Sequence, residues 1–394
     1  MQLNRRGLKM KPLNCLKFAS IVLVSFLLLM CSLCFAQNER VVENKMTISI
    51  PPDIDTQDNK TLPSWNDGAT KNAILEFLSN ATNEDSPKFI KPEDRIATFD
   101  NDGTLWCEQP MPAQLDFVIK HWAAMAKANA SLRETQPYKA IIEKDMEWFG
   151  GNNSQDILRG MGEAFTGMTA EDYENLVQNF FTEVQHPRFD VPYQQVAYKP
   201  MRELIDLLKA NDFRVFIVSG GGRDFMRVIS EPTYGIYRDR VIGTAPVHEY
   251  VDGHLVIGSK FLGEFNNGQE KVTHIFDYIG RMPVLAGGNS DGDIEMLESA
   301  QFSILVHHTD AEREYAYDKR AENALAAAKN KSWTVVNMKD DWKTVFQQMA
   351  SGEEDEKNEH QNEDEKNENQ LPGFDTILAF ACSLAAARLL NKAS

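Results

Sequence analysis

Two aspartates, Asp100 and Asp102, directly follow a short apolar run and are the residues best suited to chemistry. The run Arg95–Phe99 predicts a buried strand, and ligand sites in open α/β sheets lie at the carboxyl ends of strands. In that position Asp100 could attack a phosphorus atom, while Asp102 could donate and accept the proton of the departing and entering oxygens. Gly103 permits a tight turn behind them. A plain Asx-rich turn is the alternative interpretation of the same residues.

A loop that could bind phosphate follows another predicted strand, Val215–Val218. It consists of Ser219 and three glycines, so a hydroxyl and exposed main-chain N–H groups would meet at a strand end. A flexible loop is the alternative interpretation. Lys271, at the start of a predicted helix, could neutralise phosphoryl oxygens, although an isolated lysine is usually part of the solvated surface.

A third loop, Gly287–Asp293, follows the predicted strand Val284–Ala286 and is rich in oxygen-bearing side chains. Asn289, Asp291 and Asp293 alternate along this loop. Carboxylate and amide oxygens on a strand-end loop suit Mg²⁺. An acidic surface turn is the alternative, so this loop alone does not distinguish a metal site from solvated structure.

Taken together and in this order, these motifs resemble those of the haloacid dehalogenase (HAD) superfamily, over about Leu62 to Val336. The first motif, followed by Leu105-Trp106, and the Gly288–Asp293 loop look most like the phosphoserine phosphatase-like branch. The resemblance implies a Mg²⁺-dependent phosphatase that hydrolyses small phosphomonoesters through an aspartyl-phosphate intermediate. The family's catalytic roles fall on the nucleophile Asp100, the acid/base Asp102, the phosphate-binding Ser219 and the lysine Lys271.

The resemblance also implies a magnesium site and a substrate site. The expected metal ligands are Asp100, the main-chain carbonyl of Asp102, Asn289 and Asp293. Asn289 stands where many relatives have an aspartate; its carbonyl oxygen can serve instead, or Asp291 can take over. Contacts to phosphate or substrate are expected from Asn101, Gly220, Gly221, Glu108 and Arg223, with Trp106 also beside the pocket.

The remaining pattern predicts an α/β fold, with a HAD-type Rossmann-like parallel sheet, helices on both faces and an inserted α-helical cap. Further strands are expected at Ser303–Val306 and Thr334–Val336, with a hairpin over Val241–Ile257 turning at Asp252-Gly253. Apolar spacing predicts helices at Ala69–Asn80, Met201–Ala210, Val272–Ile279 and Ile294–Ala300, and throughout Ala113–Gln185. A cap between the first two motifs would close over the site, expel water and select substrates.

Composition divides the chain into segments of different character. The expected boundaries are 1–36 for a signal peptide, 37–62 for a linker, 63–107 and 200–349 for the catalytic core, 108–199 for the helical cap, 350–371 for an acidic disordered spacer and 372–394 for a membrane-sorting segment.

Both termini predict export and anchoring. A basic start, the apolar run Phe18–Leu33 and a small-x-small end at Ala36 are typical of a signal peptide; an uncleaved signal anchor is the alternative. The C-terminus resembles the PGF-CTERM sorting signal of archaeal surface proteins, with Pro372-Gly373-Phe374, the apolar run Thr376–Leu390 and Lys392. That resemblance implies processing by an archaeosortase and lipid attachment at the outer membrane face; a simple membrane tail is the alternative.

Charge and cysteine content exclude some classes of protein. A net charge of −17 and a pI near 5.0 argue against nucleic acid as a partner, because phosphate backbones need clustered Lys and Arg. Only Cys107 of the 5 cysteines lies outside the terminal apolar segments, so no internal disulfide framework is expected. His307-His308 could form a metal pair, but a structural role is expected because no third ligand lies nearby. Glycans could attach at Asn59, Asn80, Asn129, Asn152 and Asn330.

Two other functions stay open at this stage. One is a non-catalytic surface protein that uses the same scaffold for binding or adhesion, which the anchor, the sequons and Asn289 favour. The other is a HAD hydrolase with a non-phosphate substrate, such as a dehalogenase. True dehalogenases of this superfamily lack the acid/base that Asp102 supplies, so the motifs favour a phosphatase.

Overall fold

A seven-stranded sheet forms the centre of the computed structural model, which describes residues 61–150 and 153–347. The strands are β1 (Ile96–Phe99), β2 (Arg214–Gly222), β3 (Val241–Thr244), β4 (Pro246–Val251), β5 (His254–Phe261), β6 (Leu285–Gly288), β7 (Phe302–Thr309), β8 (Ala316–Tyr317) and β9 (Thr334–Asn337). All except β4 and β5 belong to this sheet, and these two pair with each other.

The sheet order is β3-β2-β1-β6-β7-β9, and each of these neighbours pairs in parallel. Short β8 adds an antiparallel pair at the end of β7. All residues of β1 and β6 are buried, because central strands of a parallel sheet are covered on both faces. The predicted α/β fold with a parallel sheet is confirmed.

Helices cover both faces of the sheet. They are α1 (Ala69–Thr82), α2 (Ala113–Ala128), α3 (Tyr138–Glu143), α4 (Met146–Gly150), α5 (Ser154–Phe165), α6 (Ala170–Glu183), α7 (Lys199–Ala210), α8 (Arg223–Tyr234), α9 (Gln269–Ile279), α10 (Ile294–Glu298), α11 (Glu322–Lys331) and α12 (Met338–Asp341). Side chains of β2 alternate between two hydrophobic clusters, as the period of a strand requires. Val215 and Ile217 pack with α1, α7 and α8, whereas Phe216 and Val218 pack with α9, α10 and α11.

Two insertions lie on the carboxyl side of the sheet. The first, α2 to α6, fills the region Ala113–Glu183 and is named here the helical insertion. The second is the hairpin of β4 and β5, which turns at Asp252-Gly253, where both residues have positive φ. The predicted turn is confirmed, but the predicted first strand is wrong. Val241–Thr244 extends the main sheet beside β2, and the hairpin begins only at Pro246.

The two insertions are joined by main-chain hydrogen bonds. Gly167 donates its N–H to the carbonyl of Ile257 at 2.7 Å, and Ile257 donates its N–H to the carbonyl of Met168 at 2.9 Å. Ile257 is buried at this contact. The hairpin and the helical insertion are therefore connected, and together they are named here the roof. This pair of hydrogen bonds is named here the clasp.

The expected leader, acidic spacer and sorting segment lie outside the described residues, as do nearly all of the linker and the sequons at Asn59 and Asn152. Within the described part, no helix is both long enough and apolar enough to span a membrane.

Candidate active site

Asp100 stands at the carboxyl end of β1, in the middle of the sheet. Its main-chain N–H donates to the carbonyl of Gly287 on β6 at 2.9 Å, which fixes the point at which the chain leaves the strand. The side chain is only 7% exposed and lines a cavity under the roof. Lys271 holds one carboxylate oxygen, Oδ1, at 2.6 Å. The second oxygen, Oδ2, has no hydrogen-bond partner in the described part of the chain.

Lys271 bridges two carboxylates. It comes from the first turn of α9, is buried, and its Nζ donates to Asp100 Oδ1 and Asp293 Oδ1, each at 2.6 Å. Burial alone would lower the pKa of Lys271, but the two carboxylates outweigh burial and raise it above its usual value. The side chain therefore stays charged. One cation shared between two anions leaves the cluster negative.

Asp293 uses both of its oxygens within the protein. Oδ1 accepts from Lys271, while Oδ2 accepts the N–H groups of Asn289 and Ser290 and the Ser290 hydroxyl, each at 3.0 Å. The Ser290 hydroxyl completes a capping box with Asp293 at the start of a short 3₁₀ turn. Asp293 thus fixes Lys271 and the loop after β6.

Asp102 lies in the same cavity as Asp100. Its Oδ1 accepts the indole N–H of Trp106 at 2.6 Å, so Trp106, itself fully buried, orients the carboxylate from behind. Burial raises the pKa of Asp102 to about 6, against the opposing effect of the Trp106 hydrogen bond. Burial also raises the pKa of Asp100 well above its usual value, with Asp293 and Asp102 adding to the shift and Lys271 opposing it. Burial is the largest cause of both pKa shifts, because an environment shielded from water disfavours the charged form of a carboxylate.

The glycines predicted to form a loop are the last residues of β2, and two of their N–H groups donate to side-chain acceptors. Gly221 donates its N–H to the Ser219 hydroxyl at 3.0 Å, and Gly222 donates to Gln114 Oε1 at 2.6 Å. Gly220 and Gly221 line the cavity with Gly222 and Gln114, whereas Ser219 is buried behind them. Gln114 belongs to α2, so the helical insertion directly contacts the loop predicted to bind phosphate.

Asn289 and Glu108 form a contact beside the aspartates. Asn289 Nδ2 donates to Glu108 Oε1 at 3.2 Å, and its Oδ1 accepts from the Thr104 hydroxyl at 3.1 Å. Tyr317 also donates to Glu108 Oε1, at 2.8 Å, and Arg320 lies 4.0 Å from Oε2. Glu108 is buried and lines the cavity, so its carboxylate both positions Asn289 and adds negative charge to the site.

Arg223, Asp291 and Asn101 do not line the cavity. Arg223 begins α8, and its guanidinium turns to Asp224 and the Tyr278 hydroxyl. Asp291 points to α11, where it accepts the N–H of Ala324 at 2.8 Å, so it does not replace Asn289. The side-chain amide of Asn101 is buried without a hydrogen-bond partner among the described residues. The prediction of direct substrate contact for Arg223 disagrees with this geometry, because its buried guanidinium is engaged by Asp224 and Tyr278 and does not line the cavity.

His307 and His308 point to opposite sides of β7. His307 pairs with Asp318 at 2.6 Å, while His308 is buried between the Gly103 carbonyl, at 2.8 Å, and Glu314 Oε2, at 3.2 Å. Nε2 and Nδ1 of His308 thus each face an oxygen, and the ring forms a buried pair with Glu314. This pair supports the turn that carries Asp102, which is the structural role expected from the sequence.

Several residues of the site were not predicted from the sequence. Gln114 and Tyr317 reach the site from α2 and from β8, and Glu314 supports it through His308. No local signal separates Gln114 from the other polar residues of α2. Arg320 has positive φ, which sequence patterns do not reveal for an arginine.

Mg²⁺ fits this site by the chemistry of its donors. Asp100, the Asp102 carbonyl and the Asn289 amide supply the hard oxygens that Mg²⁺ prefers. The buried carboxylates of Asp100, Asp102, Asp293 and Glu108 exceed the positive charge of Lys271 and Arg320. Among the described residues, no three His, Cys, Asp or Glu side chains converge on one point. An ion here would therefore need neutral oxygens beside its carboxylates.

Gly103 is required by the geometry of the first motif. Its φ is +76°, and a Cβ at this position would lie 2.0 Å from Asn289 Nδ2 and 2.9 Å from Glu108 Oε1. We expect Gly103→Ala to lower the free energy of unfolding by more than the about 1–2 kcal/mol that left-handed backbone costs, and to lower activity. Denaturant titration measures the loss.

Gly253→Ala is the matched control for this prediction. Gly253 has φ +89° with nothing within 4 Å of an added Cβ, so it carries the backbone strain without the collision. An equal loss of stability in both variants would show that the contact with Asn289 is not tight.

Comparison with known families assigns the chain to one of them. The model of the haloacid dehalogenase-like hydrolases matches residues 97–298, which is just over half of the chain. The matched range includes Asp100, Asp102, Lys271 and Asp293. The chain belongs to this family of hydrolases. No curated protein matches the chain.

Solved structures with similarity to this chain have low identity to it. A functionally unknown protein from Anaerococcus prevotii is 14% identical, with a TM-score of 0.46 over 67% of this chain and 90% of its own. A HAD family hydrolase from Salmonella enterica serovar Typhi is 16% identical, with a TM-score of 0.35 over 62% of this chain and 67% of its own. A probable phosphoserine phosphatase from Vibrio cholerae is 17% identical, with a TM-score of 0.33 over 62% of this chain and 70% of its own.

Proposed function

We propose that the protein is a phosphatase that hydrolyses small phosphomonoesters through an aspartyl-phosphate on Asp100. The observation that carries this proposal is the cluster at the end of β1. Lys271 fixes one oxygen of Asp100 at 2.6 Å, the other oxygen lacks a protein partner in the described chain, and Asp102 lines the same cavity. A fixed nucleophile beside an acid/base is the arrangement that covalent phosphoryl transfer needs.

In the first step, Asp100 Oδ2 forms a bond to phosphorus as the bond to the leaving oxygen breaks. Protonated Asp102 gives its proton to that oxygen, so the leaving group departs as an alcohol. In the second step, Asp102 takes a proton from water, and the oxygen of that water bonds to phosphorus. Phosphate then leaves and the Asp100 carboxylate is restored. Lys271 neutralises charge near Asp100 in both steps.

Mg²⁺ is the proposed cofactor. Asp100, the main-chain carbonyl of Asp102 and Asn289 would hold it, and when bound it would neutralise phosphoryl charge. Asp293, the fourth residue of the predicted ligand set, also positions Lys271 through Oδ1. Closure of the roof over a bound substrate would exclude water and strengthen the electrostatic interactions inside.

The chemical test is to trap the intermediate in an Asp102→Asn variant. Asn cannot act as the base, so hydrolysis of the phosphoenzyme should slow by about 10²–10⁴-fold. p-Nitrophenyl phosphate has a leaving group that needs little protonation, so Asp100 should still be phosphorylated. We expect one phosphoryl group on the peptide containing Asp100, detected by mass spectrometry after acid quenching.

The wild-type protein under the same conditions is the control, and should release inorganic phosphate steadily with little phosphoenzyme. A phosphoryl group on any residue other than Asp100 would contradict the nucleophile assignment. Binding of Mg²⁺ without turnover of any phosphate ester would instead support the non-catalytic alternative.

We further propose that the enzyme acts outside the cell, held at the outer membrane face. The basic and apolar leader and the sorting-like C-terminus support this location, with an archaeosortase-like enzyme as the processing partner. Such a layout suits recovery of phosphate from esters too polar to cross the membrane. Protease protection of intact cells tests it: cytosolic protein that retains residues 1–36 would contradict export.

A further inference from the structure

The cavity in front of the catalytic carboxylates has an apolar wall built by both insertions. The helical insertion contributes Leu115, Ile157, Met161 and Phe165, and β5 of the hairpin contributes Ile257. All of these except the half-buried Met161 are less than a tenth exposed. They are part of, or pack against, the main hydrophobic cluster of the protein. Packing therefore fixes this wall in place.

The charged residues that line the cavity come from outside the helical insertion. Among the described residues of the helical insertion, none that lines the cavity is charged. Asp224 also lines it, but Arg223 and Arg227 hold its carboxylate at 3.1 and 3.0 Å. Lys260 is exposed to solvent at the rim. The ammonium and carboxylate of a phospho-amino acid would thus lose water at the apolar wall without gaining partners there.

The size of the cavity limits the leaving group. Its volume is about 260 Å³. That lies just below the range of about 300–1,000 Å³ that is usual for ligand pockets. A phosphoryl group and a single ring or short alkyl chain fit such a volume.

We infer that the preferred substrates are monophosphate esters of small apolar alcohols or phenols, rather than phosphoserine or sugar phosphates. The inference rests on the proposed phosphatase function and adds the identity of the leaving group. The aspartates and the glycine loop receive the phosphoryl group, and the wall from Leu115 to Phe165 and Ile257 receives the organic group. Apolar burial then distinguishes this class of ester from polar ones.

Non-hydrolysable phosphonates test the preference without turnover. Benzylphosphonate presents an aromatic ring, and 2-amino-3-phosphonopropionate presents the charged groups of phosphoserine. With the full chain in Mg²⁺ buffer, calorimetry should show benzylphosphonate binding at least about 10-fold more tightly. The values of kcat/KM for benzyl phosphate and O-phosphoserine should rank in the same order.

Met161→Ser tests whether the wall causes the preference. Met161 is half-buried and lines the cavity, while Met125 is half-buried in the same insertion and does not line it. We expect Met161→Ser to reduce the ratio of the two affinities by about 10-fold, and the matched control Met125→Ser to leave it unchanged. Equal effects of the two substitutions would contradict the role of the wall.

The outcomes separate this inference from the phosphatase proposal. Equal binding of the two phosphonates, or tighter binding of the amino acid analogue, would overturn the inference even if phosphate esters are hydrolysed. A preference for benzylphosphonate without hydrolysis of any ester would support the inferred site and contradict the proposed reaction.

Discussion

Asp100→Asn should lower kcat for phosphate ester hydrolysis by roughly 10⁴–10⁶-fold, the scale seen when an essential nucleophile is removed. The amide cannot form the covalent intermediate. Among the residues that the structure describes, no other carboxylate stands at the end of β1, lines the cavity and is held by Lys271. The protein should stay folded, because one of the two anions that share Lys271 becomes neutral while the pair with Asp293 remains. Release of inorganic phosphate and circular dichroism measure the two effects.

Asp291→Asn is the matched control for this substitution. Asp291 belongs to the loop after β6, but its oxygens accept hydrogen bonds from Asn323 and Ala324 of α11. An asparagine can also accept such bonds. Activity of Asp100→Asn within tenfold of the Asp291→Asn control would contradict the nucleophile assignment.

Lys271→Met should produce the largest loss of stability. The substitution leaves Asp100 and Asp293 buried without the cation that bridges them, and breaking a buried ion pair costs about 3–5 kcal/mol. The free energy of unfolding from denaturant titration should fall by that amount, and phosphatase activity should be lost. Adding Asp100→Asn to Lys271→Met should recover part of the stability, because one uncompensated charge disappears.

Lys71→Met provides a second control with the same change of side chain. Lys71 is also buried, but its partner Asp67 is 71% exposed, so the remaining carboxylate stays in water. Its loss of stability should be much smaller. A similar loss in both lysine variants would contradict this explanation. It would show that the change of buried side chain, rather than the two carboxylates left without a cation, accounts for the loss of stability.

The sequence predicted the elements of the site more accurately than their contacts. Asp100, Asp102 and Asp293 converge because their motifs follow β1 and β6, and parallel strands end at one edge of the sheet. Lys271 joins them from the first turn of α9. The contact of Gln114 with Gly222 joins residues 108 positions apart, and no local pattern encodes such a distance. Likewise, the turn that Ser290 caps determines whether the oxygens of Asp293 bind a metal or accept hydrogen bonds from the protein.

The error at Val241–Thr244 has a similar origin. An apolar strand and the hairpin after it form one continuous run in the sequence, and both show the period of a strand. Only the position of β2 in space determines that Val241–Thr244 pairs with it while Pro246 begins a separate sheet. The pairing of strands in three dimensions, rather than strand propensity, thus sets the boundary between β3 and the hairpin.

The clasp at Ile257 limits how this enzyme can be recombined with its relatives. A chimera that receives a foreign helical insertion loses Gly167 and Met168, so the N–H and carbonyl of the buried Ile257 become unpaired. Each such group costs about 1–3 kcal/mol when no partner replaces the lost one. A different substrate range should therefore be transferable only when the helical insertion and the hairpin are exchanged together. The two segments are separate in the sequence but form one structural unit.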